Sequence, residues 1–286
     1  MRPAALSSLV LALASVFAGC APEPESASDL LEQAWRAYST GDFDIAVDRF
    51  EGLKQNGGLT AEQRYSALLG LATTYHYRPN ADLDAAAENY ALLGVLEQEP
   101  AKRQSALGLA RVALAGGNLL EGQSKLTDLI AAYPGSMEAD EAVLQLADSL
   151  LRPDVVEEHR GEFKLPTPGA EDRALSALEH RLGTNPHNRL APAMHMMAAD
   201  AYIQARRFDE AVGHLIAAEQ EGISVVKTRG TVLWKIASIA ESELGDLALA
   251  EKYYDLYATE FSRTELYYRA TKRLERVRAL RAEQGG

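Results

Sequence analysis

The sequence predicts an all-α protein built from about six stacked helical hairpins and a further C-terminal helix. Two observations predict this fold. A small residue is followed four places later by a large apolar one, on the same helix face, at six points. The small residues are 36 to 52 positions apart, a period typical of stacked repeats. The six pairs are Ala46 and Phe50, Ala86 and Tyr90, Gly122 and Leu126, Ala174 and Leu178, Ala211 and Leu215, and Ala250 and Tyr254.

Glycine, proline and capping residues divide the chain into these hairpins. The first turns at Gly41-Asp42, and the second begins at Thr60, an N-cap with Gln63 three residues on. The third turns at residues 116–118 and stops at Pro134, which cannot continue a helix. In the fourth, helices are expected at Ala139–Leu151 and Glu171–Leu182. The first, fifth and sixth hairpins are expected at residues 29–55, 191–222 and 225–261, and the C-terminal helix at 263–282.

The fourth hairpin carries an insertion at residues 152–169, which contains three prolines and two glycines. This loop accounts for the 52-residue spacing. Its Glu157, Glu158 and His159 could ligate a metal, or they could simply be solvated loop residues. No sequence motif of a hydrolase, zinc site or phosphate loop occurs in the chain. We therefore predict no catalysis, no cofactor and no metal site.

The overall charge argues against strongly anionic partners. The chain has 286 residues, of which 47% are apolar and 24% charged, and its formal net charge is -12. So acidic a surface repels nucleic acid and anionic lipid. Residues 263–286 reverse this balance, with seven Lys or Arg against three Glu. Arg269, Lys272, Arg273 and Arg276 could form a basic handle for an acidic partner, or the solvated outer face of a capping helix.

The N-terminal segment predicts export and lipid anchoring. Residues 4–18 form an apolar run too short to cross a bilayer, and Phe17-Ala18-Gly19-Cys20 lies at its end. This stretch resembles the lipobox of bacterial lipoproteins, with Phe17 in the place of leucine. The resemblance implies removal of residues 1–19 and acylation of Cys20, the single cysteine. The alternative is an ordinary signal peptide cut near Gly19.

The residues after Cys20 indicate where the anchored protein would lie. Lipoproteins kept in the inner membrane usually have aspartate at the position of Ala21, so the resemblance implies an outer-membrane anchor facing the periplasm. If the source lacks an outer membrane, the cell membrane takes its place. Residues 20–28 are rich in Pro, Glu and Ser, and we expect a flexible tether there. The membrane is then contacted through the lipid alone.

The hairpins resemble tetratricopeptide repeats (TPRs). The resemblance rests on the small residues, the Gly-Asp turns and the closing Tyr133-Pro134, Asn185-Pro186 and Glu99-Pro100. It implies a right-handed superhelical solenoid over residues 29–286. Residues 133–142 are also similar to the longer-period repeats of bacterial envelope proteins, such as the lipoprotein subunit of the β-barrel assembly machinery and the periplasmic coordinator of the Tol-Pal system.

The same resemblance implies a partner-binding groove lined by the first helices of the hairpins. Aromatic residues with one arginine suit a peptide or a partner helix. The alternative is that several of these side chains belong to the core. The groove residues are Trp35, Tyr38, Leu69, Thr73, His76, Tyr77, Leu107 and Arg111.

Two functions remain open at this point. The first is a lipid-anchored scaffold that binds envelope proteins or peptides, in outer-membrane assembly or envelope organisation. The second is an envelope enzyme, or a lipoprotein binding a glycan or another ligand, that uses the insertion at 152–169. Repeat arrays present extended surfaces rather than closed pockets, which favours the scaffold.

Overall fold

A computed structural model describes residues 25–151 and 169–284, and this part of the chain is all-α, without a strand. The predicted fold class is therefore confirmed. None of the described helices is long and apolar enough to cross a membrane. The helices are α1 (Ala27–Thr40), α2 (Phe43–Gln55), α3 (Ala61–Tyr77), α4 (Leu83–Gly94), α5 (Glu99–Ala115), α6 (Leu119–Ala132), α7 (Met137–Leu151), α8 (Ala170–Thr184), α9 (Ala191–Gln204), α10 (Phe208–Glu221), α11 (Val226–Ile239), α12 (Leu247–Glu260) and α13 (Tyr267–Gln284).

The helices pair in sequence order, as predicted, from α1 with α2 to α11 with α12. A short π-helical turn, Ala240–Leu244, follows α11. The described residues form two compact units. Of the described residues, those up to 108 belong to unit 1 and those from 109 onward to unit 2, so the boundary falls inside α5. A core cluster around Phe50 stabilises unit 1, and one around Tyr254 stabilises unit 2.

Side-chain hydrogen bonds fix where helices α1 and α3 begin. The Ser26 hydroxyl accepts from the Asp29 amide at 3.2 Å, and the Asp29 carboxylate accepts from the Ser26 amide at 3.3 Å. This capping box starts α1 at Ala27, two residues before the predicted start of the first hairpin at residue 29. Thr60 and Gln63 form the same box at α3, as predicted.

Four of the described turns within hairpins use a residue in the left-handed conformation. Gly41, Gly117 and Gly245 have φ of 85°, 81° and 66°, a region that glycine enters without steric cost. In the turn between α9 and α10, Arg206 takes this conformation with φ 59°. The predicted glycine turns are confirmed, and the arginine turn is one that the sequence did not reveal.

One of the three helix ends predicted from proline positions was wrong. Helices α6 and α8 end just before Pro134 and Pro186, as predicted. Pro100 instead lies in the first turn of α5, although the Glu99-Pro100 pair was expected to close a hairpin. Proline is tolerated there because a first-turn N–H has no intrahelical partner to lose.

All twelve residues of the small and large pairs are buried. The structure adds a feature to this pattern, which we call the glycine sockets. The Phe50 ring lies against Gly70 of α3, and the Tyr90 ring lies against Gly108 of α5, where a Cβ at either glycine would overlap the ring. Each ring thus comes from the second helix of one hairpin and packs on the first helix of the next.

The C-terminal helix packs as the sequence predicted. Ala270, Leu274 and Val277 of α13 are buried in the same cluster as Tyr254 of α12. These positions are spaced at helical intervals, so one face of α13 covers the last hairpin. Two other predictions, the leader with Cys20 and the insertion with Glu157, Glu158 and His159, lie outside the described residues.

Candidate functional site

Unit 1 presents an aromatic face on its first helices, α1 and α3. We define this aromatic face as Trp35, Tyr38, Leu69, Thr73 and Tyr77. The Trp35 indole Nε1 donates to the Ser66 Oγ of α3 at 2.9 Å, which ties the two helices together. Its ring also meets the Phe50 ring edge-on, with centroids 5.2 Å apart. Trp35 therefore has one side in the core and a fixed orientation.

Each of the two tyrosines of the aromatic face contacts a neighbouring ring. The Tyr38 ring meets Trp35 edge-on at 5.7 Å. Burial raises the pKa of Tyr38 above 10.0, and the neighbouring Tyr77 phenol adds to the rise. Tyr77 is 50% exposed and stacks on the His76 ring, with centroids 4.4 Å apart and planes 3° from parallel. Tyr77 thus offers a partner a rigid, accessible ring.

Two predicted groove residues are part of the core instead. Leu107 is completely buried, and His76 is only 9% exposed. The groove positions were taken from the repeat pattern, which does not distinguish a side chain that faces the groove from one that packs between helices. These two predictions were wrong, because side chains so buried cannot contact a partner.

The eighth predicted groove residue, Arg111, belongs to unit 2 and is already paired. Its guanidinium Nη2 lies 2.5 Å from the Glu141 carboxylate, and both side chains are mostly buried. The Gln145 amide oxygen, when oriented toward the guanidinium, accepts from it at 2.6 to 2.7 Å. Arg111 therefore holds α5 and α7 together within unit 2.

The basic C-terminal helix makes internal ion pairs. Arg273 lies 2.8 Å from the Glu241 carboxylate, and Arg276 lies 3.9 Å from it. Lys272 pairs with Glu275 at 2.8 Å, and the Arg269 guanidinium lies 5.9 Å from the Trp234 ring centroid. These contacts support the capping-helix interpretation over that of a basic handle.

A cleft of 760 Å³, which the sequence did not predict, lies between α6, α7 and α8 of unit 2. The buried Arg181 guanidinium lines it, donating from Nε to Asp140 and from Nη1 to the Pro134 carbonyl. Nη2 has no partner among the described residues. No local pattern could have revealed this pair, since the two ion-paired residues are 41 positions apart.

A histidine pair in the fifth hairpin was also missed. The Nδ1 atoms of His195 on α9 and His214 on α10 are 2.9 Å apart. Burial lowers the pKa of both imidazoles below 6.5, and His214 lowers that of His195 further. Among the described residues, no three His, Cys, Asp or Glu side chains converge on one metal position.

Comparison with known proteins supports the fold. No family model matches the chain, and no curated protein sequence does. Among solved structures, apo RapI is 15% identical over 86% of this chain and 68% of its own, with a TM-score of 0.59. PilF of Pseudomonas aeruginosa is 14% identical over 86% and 96%, with a TM-score of 0.53. A Podosopora anserina protein of TPR-like repeats is 17% identical over 68% and 93%, at 0.50. At such identities these likenesses show a TPR-like fold alone.

Proposed function

We propose that this protein is a lipid-anchored scaffold of the bacterial cell envelope, which binds proteins or peptides through the aromatic face of unit 1. The fold it shares with TPR-like structures supports protein binding as the general role. The proposed setting is outer-membrane assembly or envelope organisation. The anchor would be the lipid on Cys20, in the outer membrane and facing the periplasm, or in the cell membrane of a source without an outer membrane.

The observation that carries this proposal is the half-exposed Tyr77 ring, which stacks on His76 in the unit that also holds the oriented rings of Trp35 and Tyr38. Rigid aromatic side chains contribute much of the energy of protein interfaces, because they bury a large area and lose little conformational entropy. The hydrogen bond to Ser66 and the stacking on His76 hold the surrounding rings before a partner arrives. Such preorganisation lowers the entropic cost of binding.

The binding test places a photo-crosslinking amino acid, p-benzoylphenylalanine, at Tyr77 of the full-length protein in intact cells. We expect a small set of adducts with envelope polypeptides. Tyr77→Ala should weaken binding of the identified partner by at least about fivefold, since central aromatic residues of interfaces commonly cost more than about 1 kcal/mol when truncated. Binding would be measured with the purified partner.

The matched control is Tyr268 on α13, which is 67% exposed and lies outside the aromatic face. Crosslinker placed there should not give the same adducts, and Tyr268→Ala should bind normally. Tyr77 is the better target than Trp35 or Tyr38, because those two pack on the core of unit 1. Absence of adducts at position 77, or identical adducts at both positions, would refute the assignment of the aromatic face.

The lipid anchor has its own test. We expect Cys20→Ser to abolish labelling by radioactive palmitate and to shift the protein from the membrane pellet to the supernatant, because Cys20 supplies the only acyl attachment that we propose. Phe17→Leu is the matched control, since it restores the usual lipobox residue and should leave labelling intact. Membrane association that persists in Cys20→Ser, or wild-type protein without palmitate, would contradict the anchor and leave the aromatic face to its separate test.

A further inference from the structure

The His195 and His214 pair has the chemistry of a metal site and no role in the proposed scaffold. The two residues lie on adjacent helices of one hairpin in unit 2. Their rings have centroids 5.1 Å apart and planes inclined by 49°, so the two Nδ1 atoms approach without the rings stacking. Both side chains are half-buried, which leaves a path to solvent.

We propose that the two Nδ1 atoms chelate a divalent transition metal that favours right-angle coordination, with Cu²⁺ as the probe. Two nitrogens at about 2.0–2.1 Å from one metal are about 2.9 Å apart when the angle between the bonds is 90°, and about 3.3 Å apart at the tetrahedral angle. The observed separation is 2.9 Å. The pair thus matches the nitrogen separation of two neighbouring positions in a square-planar or tetragonal ion, the geometry of Cu²⁺.

The surroundings of both imidazoles favour the neutral form that a metal requires. An imidazole must be neutral to coordinate, and the lowered pKa values of His195 and His214 favour the neutral form at pH 7. In the metal-free pair one Nδ1 must carry the proton that the other accepts. On binding, that proton moves to Nε2 through solvent, so the ring changes tautomer and no net proton is released.

The charged neighbours are engaged elsewhere. The Glu221 carboxylate accepts from His187 at 3.0 Å, and Glu179 accepts from the Tyr202 hydroxyl, whose pKa is raised to about 12 by burial and this bond. The Arg207 guanidinium lies over the Tyr202 ring, 4.5 Å from its centroid. No third protein ligand is therefore placed for the metal by the described residues, and water would complete the coordination.

The test titrates Cu²⁺ into the purified full-length chain and follows binding by calorimetry and electron paramagnetic resonance. We expect one site whose spectrum shows two nitrogen ligands. His195→Asn and His214→Asn should each weaken this site by at least about tenfold, because loss of outer-sphere partners alone costs 10- to 100-fold at metal sites. The affinity should be constant from about pH 8 to 6.5 and should fall below that, where protons begin to compete for the imidazoles.

The control is His180→Asn, which removes an exposed imidazole from the same unit and should leave the site unchanged. The resonance spectrum of the wild-type chain keeps the test decisive even if an asparagine variant folds poorly. A spectrum with fewer than two nitrogens, equal affinity in all three variants, or adventitious binding only, would overturn the proposal. None of these results bears on the aromatic face of unit 1.

Discussion

Replacement of Gly70 with alanine is expected to destabilise unit 1 by about 2 kcal/mol, against the usual preference of helices for alanine. The new Cβ would overlap the Phe50 ring, which is fully buried and cannot swing away. Trp234→Phe provides the background for the measurement, because Trp35 is then the only tryptophan and reports on unit 1. The midpoint of urea unfolding should fall in Gly70→Ala.

Gly52 in α2 supplies the matched control within the same unit. It lies inside a helix, and nothing approaches the position of its absent Cβ within 4 Å. Gly52→Ala should therefore stabilise unit 1 by roughly 0.5–1 kcal/mol, as alanine does at open helical positions. Effects of the same sign in the two variants would contradict the glycine socket at Gly70.

Removal of the Asp140 carboxylate is expected to have the largest effect in unit 2, a loss of about 3–5 kcal/mol for Asp140→Ala. The Arg181 and Asp140 side chains are only 7% and 9% exposed, so Arg181 would be left as a buried charge without its counter-ion. Urea unfolding in a Trp35→Phe background, with Trp234 as the reporter, would give the loss.

A double variant separates the cost of the lost partner from the value of the pair. Asp140→Leu with Arg181→Met replaces both charges by apolar groups, and it should be much less harmful than Asp140→Ala alone. Glu275→Ala, which breaks the exposed pair with Lys272, should change stability little. A single Asp140→Ala variant as stable as the wild type would show that the pair contributes nothing.

The parts of the fold that could be predicted from the sequence are those that depend on residues close together in the chain. The hairpin turns at Gly41 and Gly245, the stop before Pro134 and the capping box at Thr60 all depend on a few adjacent side chains. The buried pair of Ala46 and Phe50 follows from helical spacing in the same way. These features can be predicted because each depends on residues a few positions apart, and because a helix places residues four apart on one face.

Contacts between distant parts of the chain could not be predicted in this way. The meeting of Asp140 with Arg181, and of His195 with His214, depends on how two helices pack against each other. The burial of Leu107 depends on the same packing, so an alignment to a repeat pattern placed it wrongly. A charged or imidazole side chain gives no local indication of a partner that lies on another helix.

The glycine sockets constrain how this chain could have arisen and how it could be rebuilt. The ring of Phe50 and its socket at Gly70 belong to consecutive hairpins, and so do Tyr90 and Gly108. A hairpin that was copied or exchanged as a unit would bring its own glycine. That glycine would then pack against the ring position of a different preceding hairpin. A segment that keeps both partners together must therefore run from the second helix of one hairpin to the first helix of the next. Such a segment is shifted by one helix from the helical hairpin that repeats in the sequence.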